Sequence, residues 1–264
     1  MSSMAEPLFL EERRRSILEM LKQHGRVSVN ALSEKLNVST VTIRQDLRAL
    51  EEEGLLERTY GGAVLRSSPP PVAELSFETR REKHRAEKDA IGQAAAALVQ
   101  DGFGIALDAS STAYAITPYL KRFDSLTVVT NSLIVAQQFL HTPRIRVLLP
   151  AGRLRRDSIS VVGNSASLPD INLNIGFFGA RGLSPEAGAT EISQEEAEMK
   201  RAIIARCIAP VLVVDGSKWG QIAPYTFMET DAITHIITTD NAPLQAFEPF
   251  RARGAIVDMV SAEE

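Results

Sequence analysis

The stretch 37-NVSTVTIRQDLRALEEEGLLERTYGGAVL-65 decides the reading of the amino-terminal fold. Ser39 is a good N-cap and Gly54 a good stop, so the spacing predicts a helix from Ser39 to about Glu53. At about 100° per residue, Ile43, Leu47 and Leu50 fall within about 60° of one another and form its buried stripe. Gln45 points the opposite way, with Val41, Thr42, Arg48 and Ala49 around it and Arg44 on the flank. A glutamine amide can pair with N6/N7 of adenine, and a guanidinium with O6/N7 of guanine. Ser39 and Thr40 open the helix, where free N–H groups favour a backbone phosphate. A helix with a merely solvated polar face carries the same stripe, so its neighbours have to separate the two readings.

Upstream, Leu10, Ile17, Leu18 and Leu21 lie close to one helical stripe that Gly25 ends. Ser28 can cap a second helix with Leu32 and Leu36 as its apolar pair, and Asn37-Val38 makes a tight turn into the third. Downstream, Leu55–Arg58 and Ala63–Leu65 flank Thr59-Tyr60-Gly61-Gly62, a hairpin signal. Helix, short helix, turn, helix, hairpin is the pattern of a winged helix-turn-helix, which favours the DNA-reading alternative. The expected DNA contacts are Ser39, Thr40, Thr42, Arg44, Gln45 and Arg48 on the helix, with Arg58, Tyr60 and Gly61 in the hairpin.

The run Ser39-Thr40-Val41-Thr42-Ile43-Arg44-Gln45-Asp46-Leu47, then Leu50-Glu51, Gly54-Leu55, Arg58 and Tyr60-Gly61-Gly62-Ala63, closely resembles the signature of the DeoR family of bacterial transcriptional regulators. That family usually has two consecutive arginines before the aspartate, where this chain has Arg44-Gln45. The difference falls on the most outward position of the helix, so it bears on operator sequence and leaves the fold untouched.

The 264 residues allow two domains, and 44% hydrophobic content permits a sizeable core. Net charge is −4, yet residues 1–85 carry 14 Lys/Arg against 13 Asp/Glu and the remainder 15 against 20. A near-neutral head on an acidic body fits a small site-specific DNA contact and excludes a broad basic coat. No apolar run approaches a membrane span, and the amino terminus does not read as a signal peptide. A single cysteine, Cys207, excludes a disulfide framework within the chain and favours a cytoplasmic location; it reads as a buried small hydrophobe on a helix.

Arg66-Ser67-Ser68-Pro69-Pro70-Pro71 is the clearest break, a semi-rigid linker. The expected division is a winged helix-turn-helix over 8–65, a Pro-rich linker over 66–76, and an α/β effector-binding and oligomerisation domain over 77–260. A charged, alanine-rich helix is expected over Phe77–Gln100. Beyond it, apolar runs at Gly104–Asp108, Leu126–Thr130, Arg146–Leu149, Gly176–Gly179, Val211–Asp215, Ile236–Thr239 and Ile256–Val260 alternate with helical stretches such as Ser132–Leu140, Glu195–Cys207 and Leu244–Arg253. Strands buried on both faces between helices imply a mainly parallel sheet.

Five loops are expected at the carboxyl edge of that sheet, where parallel α/β folds bind ligands. The first holds Asp108 and the small residues Ala109-Ser110-Ser111-Thr112, with a helix starting near Ala113. The others hold Thr130 and Asn131; Gly152 and Arg153; Gly179 and Arg181; and Asp215 and Lys218. Cations for a phosphate, with Asp and Asn for hydroxyls, look like a site for a phosphorylated sugar or polyol. Singly, each of these cations reads as a solvated surface residue.

The order of these blocks is similar to the effector domain of DeoR-type regulators, related in fold to ribose-5-phosphate isomerase. The resemblance spans about residues 8–260 and implies a phosphorylated metabolite as inducer, operator release on binding it, and a homo-oligomer, dimer or tetramer, on double-stranded operator DNA. Two departures, Ser110-Ser111-Thr112 for Gly-Ser/Thr-Thr and Ala151-Gly152 for Gly-Gly, add a Cβ where backbone would approach a ligand. The rival reading is a sugar-phosphate isomerase in which a carboxylate of the charged cluster Glu195, Glu196, Glu198 and Lys200 acts as base, but "EISQEEAEMKRAII" reads as exposed first turns of a helix. A DNA-binding oligomer without effector is the other alternative. No cofactor is expected and no metal site: His24, His84, His141 and His235 are scattered.

Overall fold

The computed structural model describes residues 10–52, 56–59, 61–64 and 76–262. The chain divides into two compact units, Met1–Ala73 and Glu74–Glu264.

The first unit runs α1 (Leu10–His24), β1 (Arg26–Ser28), α2 (Val29–Leu36), α3 (Thr40–Glu52), β2 (Glu57–Thr59) and β3 (Gly62–Val64). Ser28 caps α2 by accepting from Ala31 N at 3.2 Å. Asn37 ends it in the left-handed region, at φ 52°. Ser39 Oγ then accepts from Thr42 N at 3.1 Å and opens α3. Ile17 and Leu21 of α1, Leu32 of α2, and Ile43, Leu47 and Leu50 of α3 close one core with Leu56 and Ala63. The hairpin gains a third strand not legible in the sequence: β3 pairs antiparallel with both β2 and β1. A Cβ at Gly62 would stand 2.0 Å from Val27 O, so only glycine lets β1 approach. Gly54, Leu55, Tyr60, Leu65 and most of the expected linker lie outside the described residues.

In the second unit, α4 (Phe77–Glu82) and α5 (Arg85–Ala97) lead into β4 (Gly104–Leu107), α6 (Ser111–Leu120), β5 (Leu126–Thr130), α7 (Leu133–Gln137) and β6 (Ile145–Leu148). A hairpin of β7 (Arg153–Arg155) and β8 (Ser160–Val162) follows, then β9 (Leu173–Phe178), β10 (Gly182–Ser184), β11 (Gly188–Glu191) and α8 (Gln194–Ile204). The chain ends with β12 (Cys207–Val214), β13 (Tyr225–Met228), β14 (His235–Thr239), α9 (Glu248–Arg251) and β15 (Ile256–Val260). Seven strands form one sheet in the order β15-β14-β12-β9-β4-β5-β6, every pair parallel.

Alternate residues feed two cores. Ile105, Leu107, Phe177, Val211 and Val213 pack with Ile91 and Ala95 of α5 and Ile116 of α6. Ala106, Phe178, Leu212 and Val214 pack with Met199 and Ile203 of α8 and with Phe247 and Phe250. Both faces of the central strands are covered, which is why they read as apolar runs, while the edge strands β15 and β6 are only partly buried.

Four expectations are corrected. The helix expected over Phe77–Gln100 is two helices, because His84 adopts a left-handed φ of 55° between them. Cys207 starts strand β12 and is half-buried, since α8 stops at Ile204. Ser132–Leu140 contracts to Leu133–Gln137, and Leu244–Arg253 is a 3-10 turn followed by the four residues of α9. The antiparallel β10-β11-β13 sheet and the β7-β8 hairpin were not expected.

Candidate functional site

On α3, Gln45, Arg44 and Arg48 are exposed, and Val41 is 60% exposed. Thr40 is the first helical residue, and Thr42 Oγ1 sits 2.8 Å from Ser39 Oγ. Asp46 turns inward: Arg13 Nε donates to its Oδ2 at 2.6 Å and Arg14 Nε to its Oδ1 at 3.3 Å. The charge that could repel phosphate is thereby buried against α1, and the exposed face keeps its amide and guanidinium groups. Arg58 is engaged with Glu51, Nε to Oε2 at 2.7 Å, and braces β2 against the last turn of α3. Gly61 is exposed at the hairpin turn; Tyr60 lies outside the described residues.

In the second unit, parallel pairing brings the carboxyl ends of the strands to one edge. There β4 delivers Asp108, β5 Asn131, β9 Gly179 and β12 Asp215. From β4 the chain builds outward to β5 and β6, then crosses to β9 and builds the other way, so the topological switch point lies between β4 and β9.

Asp108 and Gly179 meet at that point. Asp108 Oδ2 accepts from Gly179 N and from Lys200 Nζ, both at 2.9 Å, and Oδ1 accepts from Ser110 N at 2.9 Å. Lys200 also donates to Glu191 Oε2 at 2.9 Å and Gly179 O at 2.6 Å, and Arg181 Nε donates to Glu191 Oε1 at 3.3 Å. Burial works against charge on Glu191, but Lys200 and Arg181 outweigh it and hold its carboxyl at about 2. Burial likewise opposes the Lys200 ammonium, and Asp108 and Glu191 overcome it and raise its pKa. Asp108 and Arg181 thereby tie the β4 and β9 loops to Gly179, Lys200 and Glu191. A Cβ on Gly179 would stand 2.5 Å from Ser110 Cβ and Oγ.

Ser110 Oγ accepts from Ala113 N at 3.0 Å and caps α6, which starts at Ser111; the expected loop over 109–112 is shorter than read. Ser111 and Thr112 are buried residues in the first turn of α6.

Asp215 is fully buried beyond β12. Its Oδ1 takes the Ser217 N–H at 3.0 Å and the Ser217 hydroxyl, whereas Oδ2 has no hydrogen-bond partner. Burial pushes its carboxyl up; Lys218, the Ser217 hydroxyl, Lys88 and His84 outweigh that and hold it below the usual aspartate range. Lys218 is pulled down by burial and by Arg181, Lys83 and Arg80, against Asp215. Asp215 thus faces Lys218 and Lys88, and Lys218 in turn stands within reach of the charges of Arg80, Lys83 and Arg181.

On the β5 side, Asn131 is 3% exposed; Nδ2 donates to Val161 O at 3.3 Å and Oδ1 has no partner. Thr130 Oγ1 accepts from Ser132 N at 3.0 Å, so it shapes the turn. Gly152 and Arg153 lie exposed at the β7-β8 hairpin, with Arg153 paired to Glu195 at 2.6 Å. Below them the buried Ser160 hydroxyl donates to Glu196 Oε1 at 3.1 Å. Glu196 is pushed up by burial and by Glu191, against Lys200, the Ser158 hydroxyl and Arg155. The reading of Glu195–Lys200 as exposed first turns is corrected, because Glu196 and Lys200 are both buried. Among the described residues no cluster of three His, Cys, Asp or Glu side chains could hold a metal, and no helix is long and apolar enough to cross a membrane.

Family models match both units: the DeoR-like helix-turn-helix domain over residues 13–69 and the DeoR C terminal sensor domain over residues 83–240. The chain belongs to the DeoR family. It is 34% identical to HTH-type transcriptional regulator GolR of Listeria innocua, covering 94% of this chain and 97% of that one. It is 32% identical to HTH-type transcriptional repressor GlcR of Bacillus subtilis (97% and 98%) and 30% identical to the Glycerol-3-phosphate regulon repressor of Escherichia coli (90% and 94%). Among solved structures, ribose 5-phosphate isomerase A of Methanocaldococcus jannaschii matches over 52% of this chain and 55% of its own at 17% identity and a TM-score of 0.39, too loose a likeness to bear on activity.

This DeoR-family chain is a DNA-binding transcriptional regulator with a sensor domain. Its site region contains Lys88 and Glu191, which the sequence did not single out, and Glu196 and Lys200, which it offered only for the isomerase alternative. Glu196 and Lys200 lie one turn apart on α8, and that i, i+4 spacing was the available signal. Nothing local distinguishes Lys88 from a surface lysine.

Proposed function

We propose that the protein represses genes of carbohydrate metabolism by laying the exposed face of α3 on operator DNA, and that a phosphorylated sugar or polyol bound at the sheet edge releases it. The observation that carries the effector half is the pair of buried acceptors without partners, Asn131 Oδ1 and Asp215 Oδ2, on either side of the switch point. Buried polar atoms are nearly always bonded, so donors from outside the chain, such as ligand hydroxyls, fit these positions. Lys218 and Lys88 supply charge for a phosphate, and Ser111 and Thr112 stand at the start of α6. In this reading Asp108, Ser110, Thr130, Gly179 and Arg181 position the loops. Gly152 and Arg153 flank the entrance. Names of relatives that refer to glycerol 3-phosphate and to repression support the chemistry and the sense of control.

Paired half-sites call for a symmetric homo-oligomer, a dimer or tetramer acting in the cytoplasm. No step of this function is catalytic.

Thermal-shift screening of phosphorylated sugars and polyols tests the effector half, since a ligand at 100 times its Kd adds about 2.7 kcal/mol. The active compound should lower operator affinity in fluorescence anisotropy, and Lys218→Ala should blunt that response by about 10-fold or more, the loss of one charge-assisted bond. A panel that shifts no melting temperature, or an unchanged response in Lys218→Ala, would remove the site.

A further inference from the structure

α4 is the first described element after the proline-rich stretch, and its carboxyl end lies in the cation field around Asp215. That end is held by one side chain. Lys88, only 5% exposed in the first turns of α5, donates from Nζ to Arg80 O at 2.6 Å and to Lys83 O. Those carbonyls belong to the last turn of α4 and to its C-cap, and the N–H groups of Arg80 and Lys83 bond Ser76 O at 3.0 Å and Thr79 O at 3.1 Å. The joint itself is strained, because His84 is a non-glycine residue at φ 55°. Phe77 fastens the other end of α4 edge-on to Tyr114 of α6, at 5.4 Å between ring centroids. Six residues of helix are too few to persist in water without such anchors.

An ammonium has three donors, and two of those on Lys88 go to α4 carbonyls. Burial pulls its pKa down to about 8, with Asp215 opposing and Lys218 adding to the fall, so an anion nearby would strengthen its charge and its grip on the carbonyls.

We propose that Lys88 is the positioning residue that couples the effector site to the DNA-binding unit: an anion taking its remaining donor locks the end of α4, and the ordering of α4 is the output signal. This rests on the anion-site reading above. Lys218 and Lys88 both meet the anion, and Lys88 passes its presence to the segment that continues toward the linker.

Hydrogen–deuterium exchange on the full-length protein tests it, with the phosphorylated sugar that gives the largest melting shift as probe. Exchange in residues 76–88 should slow by about 5-fold or more, the lower end of ordinary allosteric coupling. Slowing elsewhere with residues 76–88 unchanged would overturn the coupling while leaving the effector site standing. No melting shift with any phosphorylated compound would overturn both. Lys88→Met supplies a second readout, the ratio of effector affinities with and without operator, which should fall to within about 2-fold of unity from about 5-fold or more in the parent. A ratio equal to the parent's would refute the role. If Lys88→Met does not fold, the exchange measurement on the unaltered protein decides.

Discussion

Replacing Lys200 by Met removes one charge from the most crowded ionic cluster in the sensor unit and retains most of the apolar stem. The parent ammonium makes three bonds, to Asp108 Oδ2, Glu191 Oε2 and Gly179 O. Both carboxylates are almost fully buried, so the variant leaves two acids facing each other with Arg181 as the nearest cation on one side only. Breaking a buried pair in this way costs about 3–5 kcal/mol. With an unfolding slope of about 2 kcal/mol per molar urea, the midpoint should fall by about 2 M. The melting temperature should fall by about 10 °C. The loss should depend on pH. Glu191 has its folded pKa depressed from 4.5 to about 2, so its contribution is fully present above pH 4.5 and disappears as pH falls through about 2. Lys200 supplies much of that depression, so the gap between parent and variant should be widest above pH 4.5 and narrow toward pH 3. A urea midpoint shifted by less than about 0.5 M, or a gap that stays constant down to pH 3, would refute the electrostatic account of this cluster.

Gly179→Ala forces a methyl to within 2.5 Å of Ser110 and should destabilise the sensor unit by about 1–3 kcal/mol, with effector affinity falling as well; urea unfolding and thermal shift with the active compound check both. The Cys207 thiol is pushed up to about 12 by burial, so at pH 8 it should react with Ellman's reagent at least ~100-fold more slowly than a free cysteine; comparable rates would contradict its placement.

The central strands of the main sheet were legible because they are buried on both faces, and all seven read as apolar runs between helical stretches. Leu126–Thr130 and Ile256–Val260 match residue for residue. The small antiparallel strands were not legible: Gly182–Ser184 and Gly188–Glu191 are short, glycine-led and without alternation. Helix α3 was legible because its stripe, cap and neighbours agree.

Buried charge was the blind spot. In Gln194–Lys200 the density of acids looks solvated, and only tertiary placement turns Glu196 and Lys200 inward. Asp46 gave a fainter warning, since it borders the Leu50 side of the stripe with arginines waiting on α1. The break at His84 had no signal at all, because nothing in an alanine-rich run announces a left-handed histidine.

The most direct measurement is a selection of binding sites from random duplexes, run in parallel on the parent protein and on Gln45→Ala. If the exposed face of α3 reads base edges, the parent should select paired half-sites, and the variant should lose its preference at one base position per half-site, worth about 1–3 kcal/mol. Identical selected sequences from the two proteins would contradict the claim that this helix reads the operator.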